Sequence, residues 1–246
     1  MARAYAAARE AAGAGETDAF AASEAPVGRR YDAVVAISRS GTTSELVDLL
    51  HALPASLATY AIVGVPETPI AAAAGHVVVL DFADEHSVVQ TRFATTALAY
   101  LLASVGVDLG RAAADAERAL AQPLPLDPRA TDAFVFLGRG WTVGLADEAA
   151  LKLREAALAQ AESYPALEYR HGPIAVAAPG TAVWPLGDVG RDLVEDVEAT
   201  GATVVRSSLH PLAELVLIQR TAVALAKARS LDPDRPRNLT RSVVLR

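Results

Sequence analysis

Residues 32–50, DAVVAISRSGTTSELVDLL, decide the fold. The apolar run 32–37 is short and bounded by turn residues, which predicts a buried strand. Residues 38–43 form a polar loop containing Gly41, and 44–53 return with helical periodicity. A strand that runs through a small-residue loop into a helix is half of a parallel βαβ unit. It also aims backbone N–H groups and the positive end of a helix dipole at one spot. The hydroxyls of Ser38, Ser40 and Thr43 add donors suited to phosphate oxygens, and Gly41 lets the backbone come close. A plain helix cap uses the same residue types.

The pattern extends in both directions. Upstream, residues 2–12 predict a helix ended by Gly13 and Gly15. Downstream come a strand near 59–64, a helix near 70–74, a strand at 76–80, a polar loop at 84–87 and a long helix to about 104. A charged helix at 111–121 then runs into QPLPLDP (122–128), which reads as a linker. Past the linker the alternation restarts. A strand at 133–137 leads through Gly138-Arg139-Gly140 into a long helix ending at about Gln160. A strand at 181–186, helix 191–199, strand 203–206 and helix 212–229 follow. Two units of one layout suggest an internal duplication. The expected fold class is α/β, with two doubly wound parallel sheets.

Composition narrows the chemistry. A chain of 246 residues with 52% hydrophobic and 21% charged residues builds a globular core. A net charge of −7 disfavours a nucleic-acid-binding module. With no cysteine, thiol nucleophiles, disulfides and thiolate-bound zinc are excluded in this chain. No apolar run reaches transmembrane length, and a cytoplasmic location is the expectation.

Three further constellations bear on function. Lys152 and Glu155 lie three apart on a predicted helix and share a face, as a solvated ion pair also does. His171 sits in Arg170-His171-Gly172-Pro173, a loop fixed by its glycine and proline. A carboxylate that moves a proton between adjacent carbons, and a histidine that opens a sugar ring, are what aldose–ketose isomerisation requires. The basic run Arg235–Arg241 is either a solvated tail or a segment folded back over a site.

Taken in order, these segments resemble the sugar-isomerase (SIS) superfamily. The resemblance is closest to the tandem-SIS isomerase part of glucosamine-6-phosphate synthase and its free-standing relatives, and it covers nearly the whole chain. ISRSGTTSE (37–45) is similar to the family's phosphate loop, and ADEHSVVQTRFATT (83–96) to its sugar-pocket segment. FLGRG (136–140), ADEAALKLREAA (146–157) and EYRHGPIAV (168–176) resemble the second domain, and DPDRPRNLTRSV (232–243) the closing tail. The resemblance implies flavodoxin-like three-layer domains at 1–110 and 131–230, a link at 111–130 and a tail at 231–246.

It also implies roles. Ser38, Arg39, Ser40, Gly41 and Thr43 hold the phosphate. Val88, Gln90 and Lys152 line the sugar, and Arg241 lies beside them in the tail. Glu155 transfers the proton, and His171 opens the ring, reaching the site of a neighbouring subunit in a homodimer. The implied ligand is a hexose or hexosamine 6-phosphate, with no metal or organic cofactor and no nucleic-acid or membrane partner. The reaction expected is isomerisation, with or without deamination; the alternative is a non-catalytic sugar-phosphate sensor.

Two departures from the family pattern stand out. Arg241 occupies the place of a lysine that forms a Schiff base, and an arginine stays protonated. Without a cysteine nucleophile, glutamine is not the expected nitrogen donor. The chain also begins in the helix that follows the family's first strand and GxGTS-type loop, which predicts about 50 residues upstream and an incomplete first domain. Alanine- and leucine-rich helices at 91–102 and 212–228 offer more apolar surface than one small sheet covers, a further reason to expect a dimer.

Overall fold

The computed structural model of the chain describes residues 1–245. Arg246, at the end of the expected tail, lies outside the described residues. Two parallel sheets form. The first has the order β1-β2-β3, from β1 (Ala33–Ser38), β2 (Ala58–Val63) and β3 (His76–Val79). The second has the order β5-β4-β6-β7, from β4 (Ala133–Gly138), β5 (Gln160–Pro165), β6 (Thr181–Leu186) and β7 (Thr203–Val204). In the second sheet β6 pairs with β4 on one side and β7 on the other. In the first, β1 pairs with β2 alone among the described residues.

Among the described residues eight α-helices surround the sheets: α1 (Ala2–Ala11), α2 (Ser44–Ala52), α3 (Pro69–Ala73), α4 (Arg92–Ser104), α5 (Gly110–Ala121), α6 (Thr142–Ala157), α7 (Arg191–Ala199) and α8 (Pro211–Ala228). Helices pack on both faces of each sheet, and the first sheet leaves Val35, Tyr60, Val77 and Val79 exposed. Against the first sheet, α2 and α3 bury Leu50 and Ile70 over Ala36, Ala61 and Val63, while α4 buries Phe93, Ala97 and Leu101 over Ile62. In the second, α7 and the turn carrying Tyr169 cover Val135, Leu137 and Val183. The opposite face meets α6 and α8 through Phe136, Trp184, Leu145 and Leu217. Each fully buried Leu or Phe contributes about 1.5–3 kcal/mol.

The last of these cores joins the sheets, because it also takes in Ala4 and Ala8 of α1, and Leu98 and Leu102 of α4. Gly144 lets α1 approach α6 this closely: a Cβ there would lie 2.5 Å from the Ala4 nitrogen. Much of the apolar surface of α4 and α8 packs within the chain, while Tyr100 of α4 stays exposed.

One element was not expected. The helix read through Gln160 stops at Ala157, where Leu158 takes a left-handed φ of 52°. Gln160–Pro165 then forms β5, paired along its length with β4.

Candidate active site

The loop at the end of β1 is shaped by its own hydroxyls. Ser38 is buried, and its Oγ accepts the Gly41 N–H at 3.1 Å; Ser40 Oγ accepts the Thr42 N–H at 3.3 Å. Both hydroxyls act as acceptors in these bonds, so each keeps an O–H to donate. Gly41 holds φ at +66°, and a Cβ on it would lie 2.1 Å from Thr68 Oγ1. Its carbonyl accepts the Ile70 N–H at 3.0 Å, so the loop is seated on α3. Thr43 is the N-cap residue of α2, and its side chain makes no capping bond. The cap reading therefore fails at Thr43, where the hydroxyl stays available.

The tail lies across this loop. Val243 carbonyl accepts the Ser44 N–H at 3.2 Å, and Thr42 Oγ1 donates to Ser242 Oγ at 2.8 Å. The Leu245 N–H reaches Ser44 Oγ at 2.9 Å.

Arg39 is buried, with 1% of its surface exposed. Its Nη1 donates to the Ser87 carbonyl at 2.5 Å, and Nη2 to the carbonyls of Val88 and Arg241, each at 3.3 Å. Burial pulls its pKa below the ordinary arginine value. The positive charge of Arg241 adds to that effect, while Glu85, Asp84 and Glu155 oppose it.

The segment 84–92 forms the facing wall. Glu85 caps α4 by accepting from the Thr91 N–H at 2.8 Å and the Phe93 N–H at 3.1 Å. Val88 donates its N–H to the Asp234 carbonyl at 3.0 Å. Gln90 is half-buried, and its side chain makes no hydrogen bond among the described residues. Arg241 Nη2 donates to both carboxylate oxygens of Asp84, at 2.6 and 2.7 Å, and Nη1 donates to the Glu85 carbonyl.

On α6, Lys152 is 3% exposed, with Nζ 2.6 Å from Glu155 Oε2 and 3.4 Å from Glu148 Oε1. The pair read as solvated therefore has a buried lysine and a partly exposed glutamate, and a second carboxylate flanks it. A cavity of about 450 Å³ opens beside Lys152, lined by Glu85, Ser87, Thr91, Gln219 and Asp234 among others.

His171 is not brought to this cluster by a bond. It ends a short 3₁₀ turn (Glu168–His171), is exposed, and its side chain makes no hydrogen bond or ion pair among the described residues. Gly138-Arg139-Gly140 behaves as a tight turn, with Thr142 Oγ1 accepting the Arg139 N–H at 2.8 Å.

Sequence reasoning passed over Asp84, Glu85 and Glu148. The i,i+4 spacing of Glu148 and Lys152 was the one signal that could have found the last.

No protein-family model matches the chain. Among curated proteins, the isomerizing glutamine–fructose-6-phosphate aminotransferase of Methanothermobacter thermautotrophicus is 30% identical over 85% of this chain. That of Sulfurisphaera tokodaii is 28% identical over 88% of it. The chain spans 43% of the length of each. Among solved structures, glucosamine-6-phosphate deaminase from Thermotoga maritima superposes with a TM-score of 0.85 at 24% identity, covering 99% of this chain and 86% of that one.

The chain belongs to the sugar-isomerase (SIS) superfamily. Its SIS fold is also that of the C-terminal domain of glucosamine-fructose-6-phosphate aminotransferase from Francisella tularensis. That structure gives a TM-score of 0.79 at 20% identity, over 96% of this chain and 83% of that one.

Proposed function

We propose that this SIS protein binds a hexose or hexosamine 6-phosphate where its two sheets meet, and isomerises it between aldose and ketose, with or without release of ammonia. The observation that carries the reading is the cavity of about 450 Å³ lined by Lys152, the partner of Glu155, and by Ser87, whose carbonyl accepts from Arg39 of the loop that begins at Ser38. In this reading residues 1–110 and 131–230 are two SIS domains, 111–130 connects them and the tail from 231 closes over the site.

The phosphate sits on the free hydroxyls of Ser38, Ser40 and Thr43 at the start of α2, where Gly41 keeps the backbone close and the helix dipole favours an anion. The sugar lies along Val88 and Gln90, with Lys152 and Arg241 at its edges. Glu155 takes a proton from the carbon beside the carbonyl, leaving an enediol, and returns it to the neighbouring carbon. A positioned acid–base group of this kind contributes about 10²- to 10⁴-fold in rate. From a hexosamine, the same proton shift yields a ketimine. Water hydrolyses it, so hexosamine phosphate and water give ketose phosphate and ammonia.

His171, exposed and unbonded in its own chain, serves the ring-opening step in the site of a second copy, so the active form is a homodimer. Among the described residues no helix is long and apolar enough to cross a membrane; a cytoplasmic location belongs to the same proposal.

One observation favours a second reading, a sugar-phosphate sensor: Arg241 stands at the tail position expected to hold an imine-forming lysine, and it is tied to Asp84.

A thermal-shift screen with the 6-phosphates of fructose, glucose, glucosamine and galactosamine tests the proposal. A ligand bound by the folded state alone at a hundredfold excess over Kd stabilises by about 2.7 kcal/mol. A rise in Tm with one of these esters, absent with the phosphate-free sugar, supports it. A Tm that none of them moves contradicts both readings.

A further inference from the structure

Arg39 stands in the middle of the loop assigned to phosphate, yet its guanidinium donates to three backbone carbonyls on two other segments. Ser87 and Val88 belong to the wall facing the loop, and Arg241 belongs to the tail. Its own carbonyl accepts the Gly64 N–H at 3.0 Å, which ties it to the end of β2 as well. A guanidinium has five donors in a rigid plane and can hold two strands of chain at once, whereas an ammonium is a single point charge. Its Nε has no partner among the described residues.

The contacts around it form a closed circuit. Arg39 grips 87–88 and 241, Asp84 grips the Arg241 side chain, and the Asp234 carbonyl takes the Val88 N–H. Each segment is an irregular stretch with little secondary structure of its own, so its position depends on such bonds. Among the described residues outside the two segments, Arg39 is the one whose side chain bonds to both.

We propose that Arg39 is a positioning residue that holds the sugar-facing segment 84–92 and the tail 234–245 together as one wall over the phosphate loop, and that it does not itself grip the phosphate. The part of this that concerns the sugar rests on the function proposed above; the coupling of the two segments does not.

The test is hydrogen–deuterium exchange on the full chain, comparing wild type with Arg39→Lys and Arg39→Met, alongside fructose 6-phosphate titrations. In Arg39→Met, amides in 84–92 and in 234–245 should exchange faster together, by about tenfold or more, while β4 and β6 keep their protection. Arg39→Lys keeps the charge and stem and should loosen the same two segments by a smaller factor, which holds the test open if the methionine variant does not fold. Binding of fructose 6-phosphate should weaken about tenfold in Arg39→Lys. Unchanged exchange in either segment, or loss spread evenly over the whole chain in both variants, overturns the proposal. If wild type binds no sugar phosphate, the proposed function fails, and the exchange pattern still decides the role of Arg39.

Discussion

Arg241 meets both carboxylate oxygens of Asp84, at 2.6 and 2.7 Å, and so fixes the tail to the segment that precedes α4. The contact is made by Nη2 alone, while Nη1 donates to the Glu85 carbonyl. It also engages the side chain at the position where the family pattern has an imine-forming amine. Only two lysines remain in the chain, Lys152 and Lys227. Treatment with fructose 6-phosphate and borohydride should therefore leave the protein's mass unchanged. A trapped adduct on Lys152 in the mass spectrum would contradict the assignment of that residue as a charge partner of Glu155.

Gly41→Ala tests the seating of the phosphate loop. The substitution forces a side chain into left-handed backbone and onto Thr68 Oγ1. We expect a loss of about 1–3 kcal/mol in urea denaturation. Binding of sugar phosphate should fall further than that loss explains, because the shape of the loop is what aims its hydroxyls. A variant with wild-type stability and affinity would refute the account of the loop.

Lys152→Met removes the one cation paired with Glu148 and Glu155 among the described residues, leaving two largely buried carboxylates without it. Breaking a buried pair by deleting one partner costs about 3–5 kcal/mol. Chemical denaturation at neutral pH should show a loss of that size, and a loss below about 1 kcal/mol, the range of exposed pairs, would mean the pair is solvated after all.

Glu214 gives a pH dependence with a defined sign. Burial raises its pKa above the ordinary 4.5, while hydrogen bonds from Ser207 and Trp184 pull the other way. Between 4.5 and the raised value, the folded chain keeps a proton that the unfolded chain releases. Stability from this group therefore falls as pH rises through that window and stays at its lower level above it. Glu214→Gln keeps an acceptor for Trp184 Nε1, now 2.9 Å from Glu214 Oε2, and removes the titration. The variant should gain on wild type as pH rises through the window in Tm measurements; a gap that is constant or of opposite slope would be inconsistent with a buried carboxyl of raised pKa.

Most of the fold was legible in the sequence because each strand other than β5 is an apolar run set between turn residues. β5 was not, for a physical reason. QAESYP is half polar, and only Ala161 in it is fully buried. The stop of α6 is made by Leu158 in a left-handed conformation, without the glycine that announces a helix end. At the site, the residue types were readable but their partners were not. Lys152 and Glu155 show their spacing in the sequence and conceal their burial. Arg39 looks like a phosphate ligand until its three carbonyl partners, 48 to 202 positions away, are known. Contacts of that range leave no local periodicity to read.

The proposed function requires Glu155 to carry a proton between neighbouring carbons of a bound sugar phosphate. The most direct measurement is NMR of the ligand in deuterated water, with wild type and Glu155→Gln at equal saturation, the ligand being whichever ester raises Tm. The account predicts that wild type replaces a carbon-bound hydrogen next to the carbonyl with deuterium, and that Glu155→Gln binds the ligand with similar affinity and exchanges none. Exchange at the wild-type rate in Glu155→Gln, or no exchange by the wild-type chain while it binds, would contradict it.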